Sequence, residues 1–228
     1  MKRFAVGYEF VCRIILMVFV VHMAFIVHTL LGLVVGGLFP SIAACYGTYR
    51  RWLQDVDDRS WSVKHTWLTF HASWRSELKS ANILGWPQFL VMMLLAWEYW
   101  ITMHNDMGVV GIGISGVLLV LNLIYGLFVS LSWAIHVNFD GGLWWTVKTS
   151  LSMVIARPLC SLMVLLLFII TVWAYYTWPG LAVVFGMAVP AFATMMAVYS
   201  WGRVPGMDVH ELEPSEKDQH RRNDDLKR

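Results

Sequence analysis

The sequence predicts an all-α fold, a polytopic membrane helix bundle of about five transmembrane helices with an amphipathic interfacial helix on its cytoplasmic side. Three observations lead there. Five apolar stretches take up most of the 228 residues. The composition is 58% hydrophobic and only 14% charged, against about 25% charged in an average globular chain. The charged residues gather in the gaps on one side of the apolar stretches.

A hydrocarbon core about 30 Å thick needs roughly 20 apolar residues as a helix, and helices satisfy every backbone polar group without water. By that rule the spans fall at about 14–39, 86–103, 109–135, 159–176 and 181–199. None shows the alternation of a barrel strand. The first stretch is too long for a signal peptide and lacks a small-residue cleavage site, so it is expected to be retained. Residues 1–201 form the bundle, and residues 202–228 form a charged cytoplasmic tail.

Lys and Arg are held on the cytoplasmic face during insertion, so their distribution gives the orientation. Fourteen of the 17 lie in the segments between spans one and two, between spans three and four, and in the tail. Lys2, Arg3 and Arg13 lie on the other side. The N-terminus is expected outside and the C-terminus inside.

The first apolar stretch runs on past Pro40 to Tyr49, about 36 residues from Ile14 and too many for one span. A long helix could break near Gly36–Pro40 and continue into the cytoplasmic interface, or the chain could re-enter the membrane there. The first reading is preferred, because two full spans need roughly 40 residues.

Residues 66–85 are expected as the interfacial helix. Trp67, Phe70, Trp74, Leu78, Ala81 and Leu84 fall on one stripe, with Ala72, Arg75, Ser76 and Lys79 opposite. The stripe could enter the headgroup region or pack on the ends of the spans. Residues 141–155, with Trp144, Trp145 and Lys148, hold the equivalent place before span four.

A short internal repeat joins two apolar regions. Gly36-x3-Pro40-x2-Ala43-x5-Tyr49 recurs 150 residues on as Gly186-x3-Pro190-x2-Ala193-x5-Tyr199. Gly32-x3-Gly36, Ala43-x3-Gly47 and the glycines of span three predict close helix approach.

Catalytic signatures are missing. Gly111-x-Gly113-x2-Gly116 imitates a dinucleotide fingerprint but lies inside an apolar span with no preceding strand, and reads as a packing face. Cys12, Cys45 and Cys160 make no CxxC pair, and the histidines show no metal-binding spacing. No Walker A loop or nucleophile elbow occurs. The chain is expected to be neither an enzyme nor a cofactor or metal protein. Inside the spans, Glu98, Asn122 and His28, with His22 beside them, are the polar candidates for a shared interior. Glu98 could instead sit at the outer interface beside Tyr99, Trp100 and His104.

Two patterns carry a family resemblance: Gly37-Leu38-Phe39-Pro40-Ser41-Ile42-Ala43-Ala44-Cys45-Tyr46-Gly47-Thr48-Tyr49-Arg50-Arg51-Trp52-Leu53, and Phe70-x3-Trp74-Arg75-x-Glu77-Leu78-Lys79-x2-Asn82-Ile83-Leu84-Gly85. Together they resemble the YesL-like family of bacterial integral membrane proteins, a family of unknown function. The resemblance implies signature positions at Pro40, Arg50, Trp52, Trp74, Arg75, Glu77, Asn82 and Gly85 without assigning them chemistry. It also implies an association with carbohydrate uptake, because members are often encoded beside sugar transport systems. Pro40 can break span one, Gly85 can end the interfacial helix, and Asn82 can bond frayed backbone at the turn into lipid. Arg75 and Glu77, two apart, must pair with other elements.

The expected function is that of an accessory or component protein of carbohydrate uptake, with the 50–85 platform as the partner surface. The alternative is a small transporter or channel in its own right. Expected partners are the lipid bilayer, sugar transporter subunits or a second copy of the chain. The nearly balanced charge of the tail argues against nucleic acid, and its composition predicts disorder.

Overall fold

The computed structural model describes residues 2–55, 60–105 and 108–202, apart from the side chains of residues 2–10. Among the described residues there are nine helices and no strand: α1 (Lys2–Leu31), α2 (Leu38–Gln54), α3 (Val63–Ser76), α4 (Ser80–His104), α5 (Gly108–Asn138), α6 (Leu143–Ala156), α7 (Pro158–Thr177), α8 (Pro179–Phe185) and α9 (Ala188–Trp201). Four are long and apolar enough to cross a membrane: α1 from Val11, α4, α5 and α7. The bent pair α8–α9 brings the number to five if it crosses as one span. The chain is a multi-pass membrane protein. The expected tail lies outside the described residues, apart from Gly202.

Three expected boundaries are corrected. The span expected at 14–39 ends at Leu31, and the break covers Gly32 to Gly37, upstream of Pro40. Its turn is built by Gly32 N–H on His28 O and Val34 N–H on Thr29 O, at 3.1 and 2.9 Å, with Leu33 and Val34 left-handed at φ 55° and 63°. A Cβ on Gly37 would lie 2.6 Å from the Thr29 carbonyl oxygen, so glycine is required by the close approach of the two helices. Pro40 then sits in the first turn of α2, where a missing N–H costs nothing.

The interfacial helix expected at 66–85 is two elements. α3 starts on Ser62, whose hydroxyl accepts the His65 N–H at 3.2 Å, and stops at Ser76. After a turn at residues 77–79, α4 runs unbroken through Gly85 and Pro87. Gly85 therefore ends nothing.

The span expected at 181–199 is bent by 73° between α8 and α9. The bend falls where Gly186 leaves the helical region at φ 16° and ψ −112°, and Pro190, in the first turn of α9, offers the Gly186 carbonyl no N–H. The spans expected at 86–103, 109–135 and 159–176 are each longer than the hydropathy windows, as α4, α5 and α7.

α2 is the hub, not an interfacial extension of α1. Eleven of its 17 residues are buried, and it packs on α1, α3, α4, α5 and α9. Three of the span-three glycines do not serve the packing expected of them within the chain: Gly113, Gly116 and Gly126 have open space where a Cβ would stand, whereas Gly111 is buried. Gly47 does, since its Cβ position is 3.4 Å from the Ser73 hydroxyl across the α2–α3 contact.

Candidate functional site

The turn from α3 into α4, with α2 behind it, gathers most of the candidate residues at one end of the bundle. α3 is fastened to α1 through His28, a buried side chain at the end of that helix. Its Nδ1 lies 2.8 Å from the Ala24 carbonyl, which can only accept, so Nδ1 carries the proton. Its Nε2 then accepts from His71 Nδ1 of α3 at 3.0 Å. The rings of Phe70, Trp74 and Trp67 stand around it at centroid distances of 5.1, 5.3 and 5.5 Å. The aromatic stripe thus packs on the spans instead of entering the headgroups.

Glu77, in the turn after α3, finds its partner on α5. His136 Nε2 donates to its carboxylate at 2.9 Å, and the Ser80 hydroxyl donates to the same oxygen. Burial alone would raise this carboxyl, but the bonds from His136 and Ser80, with the His136 charge, outweigh it and hold Glu77 below the usual carboxylate range. Asn82 Nδ2 donates to the Gly36 carbonyl at 3.0 Å and to Leu78 O at 2.7 Å, closing the α1–α2 break. Gly85 is pressed against Phe39, and a Cβ there would fall 2.2 Å from the ring.

On α2, Arg50 and Gln54 reach the Tyr199 hydroxyl, which donates to Asn138 Oδ1 at 2.6 Å. Trp52 is buried against Phe192, and Pro40 is buried in the core. Among the eight signature positions Arg75 alone is exposed. The other seven are buried or half-buried and build the platform from inside, with Arg75 on its outer face. The outward stripe of α3, Lys64, Leu68, His71 and Arg75, continues to Lys79, and all five are exposed. Sequence reasoning missed His71 and His136; only the aromatic stripe and a histidine near a span end hinted at the first.

The polar candidates within the spans do not share an interior. Glu98 is exposed on α4 beside the stacked Trp97, Trp100 and His104. Asn122 spends its amide on Leu95 O at 3.2 Å and Leu118 O at 2.8 Å, strapping α4 to α5. It borders a cavity of about 140 Å³ with Gly126, Ser130, Val164 and Phe168, whereas His28 is enclosed by α3. His22 faces the α8–α9 bend, where Gly186 is its neighbour.

Among the described residues no group of three or more His, Cys, Asp or Glu could hold a metal ion. Cys45 and Cys160 are buried free thiols and Cys12 an exposed one. The arrangement offers anchoring, charge presentation and helix-break capping.

Residues 18–99 match the family described as "Protein of unknown function, DUF624". The match runs from within α1 to within α4 and so contains the His28 cage, α2 and the Glu77 turn. The rest of the bundle lies beyond the matched region. No curated protein and no solved structure matches the chain.

Proposed function

We propose that the protein is an accessory or component subunit of a carbohydrate uptake system, offering the outer face of α3 to a partner subunit. The supporting observation is the division of labour on α3: Phe70 and Trp74 anchor the helix on His28 while Lys64, Leu68, His71 and Arg75 face outward. Two fixed cations on α3, Lys64 and Arg75, flank Leu68, and with Lys79 in the following turn they suit an acidic partner surface with an apolar centre. The carbohydrate context comes from the family resemblance of the 37–53 and 70–85 motifs. Affinity purification from native membranes tests it. The triple variant Lys64→Glu, Arg75→Glu, Lys79→Glu should lose a transporter subunit that the unaltered protein retains; recovery of the same subunit by both would overturn the reading.

A second reading, a small transporter in its own right, draws on the two broken helices, since interrupted spans commonly frame substrate sites in transporters. Reconstituted protein that moves no labelled sugar across vesicles would count against it.

A further inference from the structure

The two copies of the Gly-x3-Pro repeat occupy the two helix breaks. Proline has no N–H, so in each copy the carbonyl of the glycine four residues earlier is denied its helical donor. In each copy that carbonyl is satisfied by a side chain from another helix. Gly36 O accepts from Asn82 Nδ2 of α4 at 3.0 Å, and Gly186 O accepts from the Tyr175 hydroxyl of α7 at 2.7 Å. The correspondence continues along the helices that follow: Ala44 and Thr194, Cys45 and Met195, Tyr49 and Tyr199 are buried pair by pair. Moreover, α2 and α9 pack on each other through these repeat regions. Tyr46 bonds Thr194, and the rings of Tyr49 and Phe192 are 5.2 Å apart.

The copies differ in one respect. The first break forces Val34, a β-branched residue, to φ 63°, a conformation that persists only where its surroundings impose it. The second is closed by glycine, with His22 filling the space a Cβ would need.

We infer that the two breaks are a duplicated elbow working as one coupled switch, with Asn82 and Tyr175 as its latches and the α2–α9 contact as the link between them. Opening either elbow re-aims the helix that follows it, and α2 and α9 cannot be re-aimed separately while packed together. The inference is independent of any partner of α3.

Hydrogen exchange of the full-length protein in lipid nanodiscs, read at residues 32–40 and 186–192, tests it. Asn82→Ala and Tyr175→Phe should each speed exchange at both elbows, by about fivefold where one ordinary hydrogen bond is lost. In the double variant the two effects should multiply at both elbows, because both latches hold one closed state. Val34→Gly, which relieves the left-handed valine without removing a latch, should slow exchange at both and covers the case in which a latch variant fails to fold. Effects confined to the elbow that carries the substitution, with the double variant showing no more at either elbow than the single one does, would overturn the coupling.

Discussion

His28 of α1 and His71 of α3 share a hydrogen bond of 3.0 Å, and this contact ties a surface helix to a membrane span. His28 is buried and held on its other side by Ala24, whereas His71 is exposed. The two halves of the bond are therefore unequal. His28→Ala removes a ring packed among three aromatic side chains and is expected to destabilise by about 3 kcal/mol, in the range of large-to-small core changes. His71→Ala loses one hydrogen bond at the surface and should cost about 1 kcal/mol. Thermal unfolding in detergent checks the order; equal effects would show that the cage contributes nothing.

Gly85 and Phe39 make a second one-sided pair. Because a methyl at residue 85 would enter the Phe39 ring, Gly85→Ala should destabilise by about 1–3 kcal/mol as an overpacked contact. Shortening the opposing side chain, Phe39→Leu, should recover part of that loss in the double variant. Additive losses in a thermal double-mutant cycle would contradict the contact.

Glu77 gives a pH dependence whose sign follows from its lowered folded value. In the unfolded chain the carboxyl titrates at its ordinary value, about 4.3, so the unfolded state binds more protons as the pH drops toward the folded value. The stabilisation by Glu77 is complete above that ordinary value and disappears as the pH falls through the folded one. Glu77→Gln should therefore flatten the acid limb of the stability curve and leave its slope near neutrality unchanged. An acid limb of unaltered steepness would contradict the pairing with His136.

Five crossings, reached if the bent α8–α9 pair crosses as one span, would put the two ends of the chain in opposite compartments. With the excess of Lys and Arg on the side of the α3–α4 turn, the N-terminus is expected outside. Reporter fusions at each terminus check this, and activity of both fusions in one compartment would contradict it.

The fold was legible in the sequence wherever hydropathy alone decides: α4, α5 and α7 lie where their apolar runs place them, because a span needs nothing beyond length and apolarity. The breaks were less legible. Pro40 marked the first, yet the chain breaks at 32–37, where Leu33 and Val34 take left-handed conformations that no local rule assigns to them. Pro190 stood in the sequence as plainly as Pro40, but apolar continuity from 181 to 199 masked its effect. For the candidate site, the need of Glu77 for a partner on another element was legible, and Asn82 was expected on frayed backbone and is found on Gly36. The identity of the partners was not, since His136 lies 59 positions beyond Glu77. Which signature residues turn inward was not legible either: Pro40, Trp52 and Gly85 are buried and Arg75 is exposed, because the motifs fix which residue types recur and not which way the side chains turn.

Photo-crosslinking at two neighbouring positions of α3 tests the central claim most directly. Leu68 is 55% exposed and Phe70 is fully buried, two residues apart on one helix. With a photoreactive residue at position 68, native membranes should yield an adduct with a subunit of a carbohydrate transporter, and the same residue at position 70 should yield only bonds within the chain to α1 or α2. The same adduct from both positions, or only internal bonds from position 68, would contradict the outward α3 face as the docking surface.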